Sequence, residues 1–432
     1  MEVIVSEELI AKTIKRRRDF HKFAEVAWTE FRTAAIVAQT LSSLGYSVAV
    51  GEEVIDPQAM MGVPVVAELE AHLERAIGQG ADAVWAEKMK GGLTGVVGIM
   101  QGAYPGPTVA LRFDMDANDA VESENEDHRP YQEGFASVNK GAMHACAHDG
   151  HTAIGLAVAE VLASARGELA GTIKLIFQPA EEGVRGAKAM MVKGIVDDVD
   201  YFIGMHLGTS LRKIGQVACG AEGFLATTKL DAAFTGIAAH AGAAPEAGKN
   251  ALLAAACAAL NLHAIARHSQ GASRVNVGVL NAGTGRNVIP ASACLKLETR
   301  GVTTAINDYV REEAKRILAS AADMYGVKVQ IEEVGGAASC VSDAALVDRM
   351  RRYAATLPVF SDITSSADIG GSEDCTFFIE RVQQKGGQGT YMIIGTELAA
   401  GHHDLRFDFN EDVLAVAVRF LSGAAMDLLQ SS

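Results

Sequence analysis

The chain has 432 residues, 49% hydrophobic and 21% charged, with a formal net charge of -15. That length exceeds one ordinary core and points to two or three domains, and the balance is that of a folded globular protein. The negative charge argues against a nucleic-acid surface, and the one basic run, Lys15 to Arg18, falls on an expected helix where a solvated face accounts for it.

Six cysteines without a CxxC pair, and no apolar leader, lead to an expectation of the reducing cytoplasm. The longest apolar segment, Ala251 to Ala266, is interrupted by Asn261 and His263. It falls short of the roughly 20 residues that span a bilayer, so a buried helix is expected and no membrane role.

Taken in order, Glu7 to Gly45 reads as two helices closed by a glycine cap. Asp56 to Gly92 carries a helical pattern, VAELEAHLERAIGQG, and reads as a peripheral addition. From Leu93 short β-branched runs alternate with helices: GVVGIM, then TVALRF running into Asp114 and Asp116, then IKLIFQ running into Glu181 and Glu182, then DYFIGM running into His206. This alternation predicts an α/β domain with a mainly parallel sheet flanked by helices, its ligands gathered beyond the carboxyl ends of the strands. After Gly220 the order becomes β-α-β-β-α-β, a ferredoxin-like α+β insertion over 224–335. A helix around Asp343 to Thr356, the loop with Glu373 and Asp374, the strand TYMIIG, Gly401-His402-His403 and a final helix from Glu411 complete the chain.

The stretch MHACAHDGH places His144, Cys146, His148, Asp149 and His151 within nine residues. Imidazole and thiolate are the usual ligands of zinc-like divalent ions, and a neighbouring carboxylate can orient a ligand. A helix start with polar caps is the plain alternative, which so dense a cluster fits poorly. Glu181 and Glu182 are adjacent, yet past a strand end and after Pro179 both can approach one site. One can then bind metal while the other carries a proton, as metal-assisted hydrolysis needs. Two solvated glutamates at a helix start would look the same in isolation. The zinc-deaminase signature, a nucleophile elbow, a P-loop and a dinucleotide fingerprint are all missing from the sequence.

Eight blocks, RFDMDA, MHACAHDGHT, FQPAEEG, MHLG, FTGIAAHAGAAPEAGKNAL, GRNVIP, GSED and GHH, stand in the order found in the M20 family of metallopeptidases and amidohydrolases. Over essentially its whole length the chain resembles the aminoacylase-like branch of that family. The resemblance implies a catalytic domain, 1–223 with 336–432, binding two divalent ions in each copy of the chain, manganese with zinc as the alternative. It implies that 224–335 is a lid that also mediates dimerisation, with an identical chain or a related one.

Carried over by position, the ligands would be Cys146, His148, Glu182, His206 and His403, with Glu181 as general base. His403 is preferred to His402 because the family's His-x-x-x-Phe spacing then lands on Phe407. Arg112 stands where other branches have a ligand histidine, and Cys146 would make up the loss. Asp114 and Asp149 would orient ligands; Asp116 is left open. In the lid, His240 would stabilise the oxyanion in a partner's site, and Asn287 and Arg300 would hold the substrate's carboxylate. On sequence alone these three are ordinary surface or capping residues. Ala147 replaces the family's glycine, which strains the ligand loop if the backbone there needs a positive φ. The activity implied is hydrolysis of the amide of an N-acyl amino acid, an N-aroyl-glutamate such as p-aminobenzoyl-glutamate first. A broader N-acyl-amino-acid deacylase and a binding protein dependent on a companion chain are the alternatives.

Overall fold

In the computed structural model, which describes residue 3 and residues 5–430, the chain forms two compact units, Met1–Glu222 with Cys340–Ser432, and Gly223–Ser339. The larger unit opens with α1 (Glu7–Lys22), α2 (Phe31–Ser43), β1 (Ser47–Val50), α3 (Val66–Gly78) and α4 (Ala83–Glu87). It continues with β2 (Val96–Gln101), β3 (Tyr104–Asp114), α5 (Arg129–Gln132), α6 (His148–Ser164) and β4 (Ala170–Gln178). Next come α7 (Ala187–Val192), β5 (Tyr201–Leu207), β6 (Gln216–Ala218) and β7 (Ala221–Glu222). The smaller unit holds β8 (Ala226–Thr235), α8 (Ala251–His263), β9 (Ser273–Ala282), β10 (Ser292–Gly301), α9 (Thr304–Tyr325) and β11 (Lys328–Ala337). The larger unit then resumes with α10 (Ala344–Ala354), β12 (Asp362–Thr364), β13 (Ala367–Asp368), α11 (Thr376–Gln384), β14 (Gln388–Ile394) and α12 (Asp412–Leu428).

Eight strands of the larger unit make one sheet in the order β1-β2-β4-β3-β5-β14-β6-β12. Its centre is parallel, β3 with both β4 and β5, and β5 with β14. Toward the margins β1–β2, β2–β4 and β14–β6 are antiparallel and β6–β12 is parallel, so the sheet is mixed, with four of its seven pairings parallel. The reason lies in the link from β2 to β3. Only Gly102 and Ala103 separate them, with no crossover helix to carry the chain back, so the two strands run in opposite directions on either side of β4.

Helix α6 is buried along nearly all its length and packs on β3 and β4, with α1 and α12 beside it. Gly155 permits the close approach: a Cβ there would lie 2.7 Å from both Phe113 and Phe177. Between β1 and β2, α3 and α4 lie on α2, and the loop ahead of them accepts a 2.8 Å hydrogen bond from the buried Trp28 indole at the Met61 carbonyl. Among the described residues no helix is long and apolar enough to cross a membrane.

The smaller unit is a four-stranded antiparallel sheet in the order β11-β8-β10-β9. Alternate residues of its strands, among them Leu230, Ala232 and Phe234 on β8 and Ala293, Leu295 and Leu297 on β10, form one core with α8 and α9.

Candidate metal centre

The parallel centre of the sheet brings the chemistry-bearing residues together. Strand β3 ends at Asp114 and feeds Asp116. The carboxylate of Asp116 accepts the backbone N–H of Glu181 at 3.0 Å and of Glu182 at 2.8 Å, and its carbonyl accepts Nδ1–H of His148 at 2.9 Å. One residue without an assigned role in the sequence, Asp116, thus positions three predicted site residues, two through its carboxylate and one through its backbone carbonyl. With Nδ1 of His148 donating, Nε2 carries the lone pair, and it is buried without a hydrogen-bond partner. His206 is set the same way: Nδ1 donates to the Leu207 carbonyl at 2.8 Å, and Nε2 lies 3.5 Å from Cys146 Sγ.

Four groups of donors result among the described residues, each with its ligand atoms within 4.8 Å of one another: Cys146, His206 and His402; Cys146, His148 and Glu182; His148, His151 and His206; and Glu181, Glu373 and Asp374. The first two meet at one residue. Cys146 belongs to both. Burial pushes its thiol up to about 12, whereas Glu182 is held down to about 2 because His403 and His148 outweigh its own burial. His151 also stands close to His148 and His206. It is already committed, with Nδ1 2.6 Å from Asp114 and Nε2 accepting the Leu207 N–H at 3.1 Å.

At the C-terminal block the two histidines part company. His402 Nδ1 lies 3.6 Å from Cys146 Sγ, its ring is edge-on to His206, and its buried Nε2 has no hydrogen-bond partner. His403 is 60% exposed, has φ 66°, and reaches Glu182 Oε1 at 3.3 Å. The structure therefore groups His402 with Cys146 and His206, where the spacing argument had preferred His403. The cause is the left-handed turn at His403, which sends consecutive side chains to different faces of the loop.

Glu181 is pushed well above the ordinary carboxylate range, by burial first and then by the charges of Glu373 and Glu182. Asp114 moves the other way. Burial opposes its charge, but His148, Arg112 and His151 outweigh burial and hold it well below the usual range. Arg112 is wholly buried between Asp114 at 2.6 Å and Glu373 at 3.0 Å. Asp149, expected to orient ligands, turns away from them and pairs with Arg17 and His21, each at 2.8 Å. It stands on the first turn of α6 one residue after His148, a spacing that points the two side chains about 100° apart. Asp114, through His148 and His151, is in contact with the cluster, as Asp116 is through Glu181 and Glu182.

Sequence reasoning gave no role to Arg112, Glu373, Asp374 or Tyr391. Glu373 accepts from the Tyr391 hydroxyl at 2.5 Å, and Asp374 accepts from the backbone N–H of Gly186 and Ala187 at 3.0 and 2.9 Å. Acidic pairs in a loop carry no signal of such partners, because Tyr391 lies 18 positions beyond Glu373 and the partners of Asp374 nearly two hundred before it.

His240, Asn287 and Arg300 lie in the smaller unit. Nδ1 of His240 accepts the N–H groups of Gly242 and Ala243 at 3.1 Å, which leaves Nε2 as the protonated nitrogen on an exposed ring. Asn287 is exposed, and Arg300 forks onto Glu298 at 3.0 and 3.3 Å.

Residues 110–427 match a family model described as Peptidase family M20/M25/M40. The chain is 53% identical over 412 residues to a p-aminobenzoyl-glutamate hydrolase subunit from Escherichia coli strain K12, covering 95% of this chain and 94% of that one. It is 52% identical over 421 residues to indole-3-acetyl-aspartic acid hydrolase of Enterobacter agglomerans, covering 97% and 96%. The crystal structure of an aminobenzoyl-glutamate utilization protein from Klebsiella pneumoniae superposes with a TM-score of 0.84 at 46% identity, covering 97% and 96%.

Proposed function

The chain belongs to peptidase family M20/M25/M40, and from that premise we propose that it hydrolyses the amide of N-acyl amino acids, p-aminobenzoyl-glutamate or a similar N-aroyl-glutamate first. The observation that carries this reading is a pair of donor groups meeting at Cys146, with Glu181, a half-buried carboxylate that belongs to neither of the two and clusters instead with Glu373 and Asp374, next in sequence to Glu182. The two relatives named for glutamate and aspartate conjugates narrow the substrate class.

Cys146, His206 and His402 would hold one divalent ion and Cys146, His148 and Glu182 a second, manganese or zinc. The donors fit: His148 Nε2 is a buried acceptor without a hydrogen bond, a state that a cation relieves, and thiolate, imidazole and carboxylate together suit such an ion. When bound, the ions supply Lewis acidity toward the carbonyl and lower the pKa of water. Glu181 accepts the proton of the attacking water and returns it to the departing amine. Asp116 keeps that carboxylate in place through the Glu181 backbone N–H. His240 of a partner copy donates Nε2–H to the oxyanion, and Asn287 with Arg300 holds the substrate's α-carboxylate, which requires Arg300 to exchange Glu298 for the substrate. The reading places the protein in the cytoplasm as a dimer, with the smaller unit as its lid and dimerisation domain. The partner is an identical chain or a related one, in keeping with a relative that is named as one subunit of its hydrolase.

Glu181→Gln keeps shape and removes the proton acceptor. Metal content by elemental analysis should stay near normal while kcat on p-aminobenzoyl-glutamate falls by roughly 10²–10⁴-fold. Undiminished turnover in that variant overturns the assignment.

A further inference from the structure

We infer that Arg185 is a specificity residue whose guanidinium receives the side-chain carboxylate of an acidic acyl-amino acid. The inference rests on the hydrolase reading above and names the part of the substrate that selects the amino acid.

Arg185 lies three positions after Glu182, in the loop between β4 and α7, and is half-buried. Its Nε donates to the Glu182 carbonyl at 2.9 Å and its Nη1 to the Gly62 carbonyl at 3.3 Å. The side chain folds back over Gly183, where a Cβ would come within 2.8 Å of Nε and 3.2 Å of Nη2. The absence of a side chain at Gly183 is thus what lets the guanidinium lie against the residue next to the Glu181–Glu182 pair.

Two neutral carbonyls hold this fork, and among the described residues no carboxylate pairs with it. That is unexpected next to a site containing Asp114, Asp116, Glu181, Glu182, Glu373 and Asp374. Arg112, by contrast, is wholly buried and committed to Asp114 and Glu373. Arg185 is therefore a cation tethered by uncharged acceptors, with Nη2 making no hydrogen bond among the described residues. A planar fork in that state suits a carboxylate brought in by a ligand. An N-acyl-glutamate carries two carboxylates. If Arg300 and Asn287 take the α-carboxylate, Arg185 is a half-buried cation available for the second.

The test compares p-aminobenzoyl-glutamate with p-aminobenzoyl-glutamine, nearly equal in shape and differing in the side-chain charge, using the metal-loaded full chain. The readout is the ratio of kcat/KM for the two, which is insensitive to the fraction of protein that folds. In Arg185→Gln this ratio should fall by at least about 30-fold, the scale of a charge-assisted hydrogen bond. Arg185→Lys, which keeps the charge without the fork, should recover part of the loss. An unchanged ratio, whether both rates fall together or neither falls, overturns the inference and leaves the hydrolase reading standing. Wild-type protein that cleaves neither conjugate overturns the hydrolase reading, and the inference with it.

Discussion

Four of the five non-glycine residues with positive φ among the described residues, Ala147, Ala180, Val184 and His403, lie in the loops that carry the donor groups. Such conformations cost of order 1–2 kcal/mol each, and they persist where the surrounding structure dictates them. Ala147, at φ 66° ahead of α6, is what points Cys146 and His148 into the same site. Because its small side chain tolerates the left-handed region better than a branched one, replacing glycine there does not break the ligand loop. Removing the methyl relieves the strain but also loses its burial, so Ala147→Gly should stay within about 1 kcal/mol of wild type. Ala147→Val should destabilise by about 2 kcal/mol or more and lower the metal content, as denaturant unfolding and elemental analysis would show. Equal stability of the valine variant would contradict the strain argument. At this scale residue types were legible in the sequence and orientations were not. The cluster around Cys146 is plain in nine residues, but the choice between His402 and His403 turns on a single dihedral angle.

Behind the donors, α1 crosses the larger unit and ties α6 to the segment between β3 and α5. Its His21 lies 2.8 Å from Asp149 and 2.9 Å from Glu122, which also meets His128 at 2.8 Å. Burial opposes a charged imidazole, but hydrogen bonds to Asp149 and Glu122 outweigh it, in spite of Arg17, and raise His21 to about 9. Burial likewise opposes the Glu122 charge, and His128 and His21 outweigh it, bringing that carboxyl down to about 2. The raised histidine contributes all its stability below its unfolded pKa, about 6.5, and loses it as pH rises through about 9. The depressed glutamate contributes above its unfolded value, near 4.5, and loses its share as pH falls through about 2. Both act fully between those unfolded values. The stability gap between wild type and His21→Gln, read from urea unfolding, should therefore be larger at pH 6 than at pH 9.5, by about 3 kcal/mol. A gap that does not change with pH would refute the charge state assigned to His21. None of these pairings could be read from the chain, because His21 and Glu122 are 101 positions apart and the Arg17–Asp408 pair spans 391.

For the whole molecule, the proposal that His240 serves a partner's site makes an assembly prediction. Glu181→Gln and His240→Ala chains, each inactive alone, are mixed in equal amounts and allowed to exchange. Half of the dimers are then mixed, and each mixed dimer has one site in which both residues are wild type. Turnover should return to about a quarter of the wild-type rate. Activity that stays at the level of the separate variants would mean that Glu181 and His240 act from the same chain.

By itself the sequence determined what is local: alternating strands and helices, an insertion with its own strand and helix order, and a metal cluster compressed into nine residues. Those features follow from side-chain periodicity and ligand chemistry, which act between near neighbours. Only the tertiary structure decided that β2 runs against the parallel centre, that Cys146 is shared by two donor groups, that His151 is already spent on Asp114 and Leu207, and that Asp149 faces Arg17 rather than the ligands. Each of those outcomes depends on which hydrogen-bond partners the sheet brings together across many positions. A buried polar group takes the partner that packing gives it, and packing is a property of the whole fold.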